Sequence, residues 1–109
     1  MRDVLVLGSS YPYEEVRDYV RVQPWARERV LTCLDHFDTI NFAPRVACPV
    51  LMSVGLNDDV CPPHTAYALR RRLGGPVELH AYPDGAHEGG GYRHDVIRER
   101  WVRDRADAR

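Results

Sequence analysis

The chain has 109 residues, 44% hydrophobic and 28% charged, a composition that describes one soluble folded unit and excludes a disordered tail. Fifteen basic residues against sixteen acidic ones give a formal charge of −1, interspersed apart from Arg70-Arg71-Arg72 and the C-terminus, so nucleic acid is not an implied partner. No apolar run approaches the roughly 20 residues that span a bilayer, and residues 1–10 lack the features of a secretory signal, so no membrane is implied and a cytosolic chain is expected.

After the short apolar run "VLVLG", a weak candidate strand, "SSYPYEEVRDYV" combines a Ser cap, a Pro in the first turn and Val16, Tyr19 and Val20 at helical spacing. A short helix from about Tyr13 to Val22 is expected. Pro24 opens a second candidate, "PWARERVLTCLDHF", whose Ala26, Val30, Leu34 and Phe37 recur on one face. "CPVLMSVG" is a continuous apolar run with Pro at its start and Gly55 at its end, read as a buried strand over residues 49–54, covered on both sides as in a parallel sheet. "PPHTAYALRRRLGG" reads as a helix with Ala66, Leu69 and Leu73 inward and Gly74-Gly75 as its stop. "PVELHAY" alternates Val77, Leu79 and Ala81 against Glu78, His80 and Tyr82 as a second strand. From about Arg93, Val96, Ile97, Trp101 and Val102 mark a terminal helix fraying into "DRADAR". Trp25 and Trp101 read as packing residues.

Strand, helix, strand, helix makes a βαβ crossover, which places the two strands parallel in one sheet. Two such strands do not make a domain, so the organisation suggests the end of a larger α/β protein of low stability on its own. Cys33, Cys48 and Cys61 are odd in number and form no CxxC, which indicates neither a disulfide framework nor a zinc site. Thiol or metal chemistry through Cys61 and His64 lacks supporting spacing, and no cofactor is expected.

In open α/β sheets functional residues collect at the carboxyl ends of the strands. "VGLNDDVCPP" follows the first strand and "YPDGAHEGGG" the second. If the strands are neighbours, Asp58 or Asp59 can meet His87. A carboxylate bonded to one imidazole nitrogen fixes the tautomer and leaves the other nitrogen as a general base for a serine hydroxyl. Taken alone, an Asp in "LNDD" reads as a turn or cap residue, and a His among glycines as a solvated one. Glu88 either orients His87 or faces water. His36, His64, His80 and His94 fall at less suggestive positions.

"NFAPRVACPVLMSVGLNDDVCPPHTAYA" followed by "YPDGAHEGGG" closely resembles the C-terminal part of the acetyl xylan esterase and cephalosporin C deacetylase family, carbohydrate esterase family 7, of the α/β-hydrolase fold. "PYEEVRDYVR" and "LDHFDTINFAPR" resemble the segments before it, so the likeness runs from about Tyr11 to Trp101. It implies that Asp58, in "GLND", is the acid of a Ser-His-Asp triad and that His87, in "HEGGG", is its histidine. It also implies a cytoplasmic, metal-independent serine esterase, acting on short acetylated xylo-oligosaccharides and cephalosporin C and assembling as a hexamer.

His64 stands where the family usually has Ser. The family's nucleophile lies in a Gly-x-Ser-x-Gly elbow upstream of all these motifs, and neither Ser9 nor Ser10 has a Gly two residues after it. The expectation is therefore a C-terminal segment, residues 1–109, that supplies the acid and base of a carboxylic ester hydrolase without its serine and is inactive alone. The alternative is a non-catalytic remnant that serves as an assembly or interaction module, using exposed strand edges and the Val30, Leu34 and Phe37 face.

Overall fold

The structure, a computed structural model, describes residues 10–108. The "VLVLG" run lies outside them. Helix α1 spans Tyr13–Val22, as its spacing predicts, with Glu14 and Glu15 in its first turn and Arg21 in its last, each placed to favour the helix dipole. It stops one residue before Pro24, whose ring disfavours helical backbone at the preceding residue.

Pro24–Ala26 forms a single 3-10 turn, and α2 runs from Arg27 to Asp35. This differs from the expected continuous amphipathic helix. Leu31 takes the buried position, while Val30 and Leu34 are half-buried and Phe37 lies exposed beyond the helix end. Ala26, Val30 and Leu34 keep the predicted face, with Leu31 beside it, and Phe37 leaves it because the helix ends at Asp35. Trp25, read as a packing residue, is 77% exposed on that turn.

Two more 3-10 turns, Thr39–Asn41 and Ala43–Arg45, lead to strand β1, Val50–Gly55. Helix α3, Pro63–Arg70, connects it to strand β2, Val77–Tyr82, and the long helix α4, Gly91–Asp107, follows. Far from fraying early, α4 continues through most of "DRADAR". Pairs of Asp95 with Arg98 at 3.0 Å and of Arg100 with Asp104 at 3.9 Å, and Arg105 stacked 3.6 Å over the Trp101 ring, line its exposed side.

The strands pair in parallel, from Val50 opposite Val77 to Gly55 opposite Tyr82. Strand alternation then assigns the two faces. Met52 shares a cavity of about 250 Å³ with Ala66 and Leu69 of α3. On the other face, Tyr82 and His80 meet His94 of α4, with ring centroids 5.9 and 5.8 Å apart. The molecule is thus a three-layer α/β slab, helix on sheet on helix.

It is a thin one. Its extents are 53 × 31 × 18 Å and its radius of gyration is 16.4 Å, against about 13 Å for a compact domain of this length. Among the described residues the buried apolar side chains are Leu31, Ala43 and Val54. The expectation of a strand covered on both sides is met only at Val54 and Gly55; Val50 to Ser53 are half-buried, because a single neighbouring strand and two helices do not span the sheet faces. No helix among the described residues is long and apolar enough to cross a membrane.

Beneath β2, His94 is buried, and its Nδ1 lies 3.1 Å from the Tyr82 hydroxyl. Burial, then the positive charges of His80 and Arg98, hold this imidazole below its ordinary value of about 6.5. The unfolded chain therefore binds a proton at a pH where the folded chain does not. Thermal stability is expected to fall as pH drops from about 6.5 through the lower folded pKa of His94, and His94→Gln is expected to flatten that limb. Melting curves across this range check it; identical slopes for the two proteins would contradict it.

Candidate functional site

Because Gly55 and Tyr82 are the last paired residues, the loops after β1 and β2 leave the sheet from the same rung. They remain joined beyond it. The Leu56 amide donates to the Tyr82 carbonyl at 2.9 Å and the Asn57 amide to the Gly85 carbonyl at 2.9 Å. Below this junction Gly55 has no room for a side chain, since a Cβ there would lie 2.0 Å from the Ala86 carbonyl oxygen. Backbone rests directly on backbone.

Asp58 follows at the tip of the first loop. Its Oδ1 accepts the amides of Val60 at 2.9 Å and Cys61 at 2.8 Å, so it does close the local turn that an Asp in "LNDD" suggests. That does not exhaust it. His87 Nδ1 lies 3.1 Å from Oδ2 and 3.3 Å from Oδ1 of the same carboxylate, across 29 positions of sequence. The two residues named from the sequence are therefore brought together.

A carboxylate can only accept, so this contact requires the proton on Nδ1 and leaves Nε2 with a lone pair. The Asp58 side chain is 9% exposed and that of His87 is 60% exposed. An anchored, shielded acid thus holds an open imidazole. This arrangement can take a proton at Nε2 and stabilise the resulting imidazolium through Asp58.

The loop carrying His87 is shaped by its own chain. Glu88, which was to orient His87 or face water, is exposed to water, and both its carboxylate oxygens accept the Ala86 amide at 3.1 Å. The Gly89 amide donates to the Ala86 carbonyl and that of Gly91 to the Glu88 carbonyl, each at 3.1 Å, which makes two successive tight turns. Gly89, Gly90 and Gly91 all have positive φ. Gly90, at φ +93°, lies so close to the Tyr82 ring that a Cβ would come within 2.3 Å of it. Tyr82, held by His94, is the floor under the loop.

The remaining sequence candidates stay apart from this pair. Asp59 is exposed beside Asp58, His64 is exposed on the first turn of α3, and His36 Nδ1 bonds the Thr32 carbonyl at 2.7 Å. His80 Nε2 bonds Glu78 at 2.9 Å and holds that carboxyl below its usual range. The half-buried Cys61 thiol meets the Tyr13 hydroxyl at 3.7 Å, a contact that, followed by burial, raises the phenol pKa and ties α1 to the acid loop. Among the described residues no group of three or more His, Cys, Asp or Glu could hold a metal ion. The sequence reading missed Gly55, Asn57 and Tyr82 as shapers of the site. A glycine ending an apolar strand was the one available signal, since it marks close backbone approach.

An α/β unit that presents an acid–imidazole pair at the carboxyl edge of a parallel sheet is the arrangement found in one part of many hydrolases. The chain belongs to the acetyl xylan esterase (AXE1) family, whose model matches residues 1–104. It is 40% identical over 60 residues to the acetyl esterase Axe7A of Xylanibacter ruminicola, a match covering 55% of this chain and 13% of that protein. It superposes on an acetyl xylan esterase from Paenibacillus sp. R4 with a TM-score of 0.84 at 31% identity, over 94% of this chain and 33% of that one. On acetyl xylan esterase 1 from Thermoanaerobacterium sp. JW/SL YS485 the TM-score is 0.71 at 35% identity, over 84% and 30% respectively. The chain thus spans about a third of these solved relatives.

Proposed function

We propose that residues 1–109 are the C-terminal acid–base segment of a serine esterase that removes acetyl groups from acetylated xylan and its oligosaccharides, with cephalosporin C as a further acetyl ester. The observation that carries this reading is the Asp58–His87 contact at 3.1 Å, with an open Nε2, where the two parallel strands end. The serine would come from sequence beyond these motifs. Its Oγ, deprotonated by His87 Nε2, attacks the acetyl carbonyl; His87 then protonates the departing sugar oxygen. Water, activated by the same nitrogen, releases acetate from the acyl-serine and restores the hydroxyl. Asp58 holds the imidazole throughout.

The test is a graft, in which residues 10–104 replace the matching third of the Paenibacillus esterase and hydrolysis of p-nitrophenyl acetate is followed. Turnover that disappears on His87→Ala is the expected result, with no turnover by the 109-residue chain alone. A folded but inactive graft would overturn the esterase reading in favour of a non-catalytic module. Turnover by the chain alone that His87→Ala abolishes would overturn the placement of the serine outside it.

A further inference from the structure

We propose that Asn57 is a positioning residue for His87, an inference that rests on the role proposed above for the Asp58–His87 pair. The Asp58 contact holds the ring but does not by itself fix the path of the loop that carries it. His87 is 60% exposed, and ion pairs and hydrogen bonds that compete with water in this way stabilise little. The placement of the imidazole against Asp58 therefore depends on the loop as well as on the carboxylate.

Asn57 grips that loop at two points. Its backbone amide donates to the Gly85 carbonyl at 2.9 Å, and its side-chain Nδ2 donates to the Pro83 carbonyl at 2.9 Å. One hydrogen bond leaves the loop free to swing about it; a second from the same residue to a carbonyl two positions away removes that freedom. The Leu56 amide on the Tyr82 carbonyl continues the same line. Three consecutive residues of the acid loop, Leu56, Asn57 and Asp58, thus bond to Tyr82, Pro83 with Gly85, and His87 in the same order.

Apart from Asp58, Asn57 is the side chain whose hydrogen bond crosses between the two loops among the described residues. Asp58 cannot replace it, because its Oδ1 is committed to the Val60 and Cys61 amides. A carboxylate or a methyl at position 57 keeps the backbone bond and loses the second grip. A carboxylate also sets negative oxygens against the Pro83 carbonyl.

The tautomer of His87 reads its position directly. In the full 109-residue chain, ¹⁵N NMR of the imidazole is expected to show neutral His87 mainly with its proton on Nδ1, and Asp58→Asn to abolish that preference. Asn57→Ala and Asn57→Asp are expected to shift the majority to the Nε2-protonated form while the amide signals of Val50–Gly55 and Val77–Tyr82 stay dispersed. In the grafted esterase the same variants are expected to lower kcat about tenfold with KM unchanged, less than the roughly 10² of a full 1 Å displacement. An unchanged tautomer in both variants overturns the proposal. So does collapse of the strand signals in both, which would make Asn57 a folding residue. The esterase reading fails separately: an inactive graft beside a clear tautomer shift defeats the chemistry and leaves the positioning role standing.

Discussion

Exchanging Asp58 for Asn in the grafted esterase is expected to lower kcat by about 10⁴-fold and to leave KM near its parent value. The carboxamide is the same size, and its oxygen can still accept the Val60 and Cys61 amides that Oδ1 accepts now. What changes is the atom facing His87. If that atom is the amide nitrogen, it donates to Nδ1, drives the proton to Nε2, and removes the lone pair that must receive the serine proton. The charge that would stabilise the imidazolium is also gone. Because substrate does not touch Asp58 in this scheme, the loss falls on the chemical step. A loss carried mainly by KM would show instead that Asp58 shapes the binding surface, and steady-state kinetics on the two proteins separates these outcomes.

Gly55→Ala carries the second large effect, through packing. The added methyl would meet the Ala86 oxygen at 2.0 Å and the Gly85 carbonyl at 2.7 Å, and neither is the flexible end of a side chain. Either the strand end or the histidine loop must move by more than 1 Å. Overpacking of this kind costs about 3 kcal/mol, a large share of the stability of so thin a molecule. The expected result is a melting temperature lowered by at least 10 °C and, in the graft, a fall in kcat of about 10² from the displaced imidazole. Ser53→Ala, two residues earlier on the same face, is the control and should melt near the parent. A Gly55→Ala protein that melts with the parent would mean that the two loops are not in contact there.

The pairing of Asp58 with His87 was legible in the sequence because it depends on topology more than on detail. Once "CPVLMSVG" and "PVELHAY" are strands joined by one helix, parallel pairing brings the residues after each to one edge, and Asp58 and His87 are the acid and imidazole found there. The limits of α1 were legible for a local reason: prolines at 12 and 24 bracket a run with helical spacing. Burial was less legible. Phe37 stayed exposed because α2 ends at Asp35, which its spacing does not show, and Val50 to Ser53 kept part of their exposure because coverage depends on neighbours that a strand's own composition does not name. Asn57 reads locally as a turn former. Only the register of Gly55 with Tyr82 reveals that its side chain lands on Pro83.

That register also says where this chain can accept an insertion. The acid and the histidine are aligned by the ladder and by the bonds just above it, made by residues 56–58, whereas residues 71–76, between the end of α3 and β2, set how the second strand is reached from the helix. Lengthening the far end of α3, around the exposed Arg70-Arg71-Arg72, adds a bulge at the opposite rim and leaves the alignment untouched. One residue inserted within Val50–Gly55 would instead shift one loop by a rung and turn its side chains to the other face. Tolerance to insertion should therefore divide sharply, low within the strands and the acid loop and high in the turn between α3 and β2.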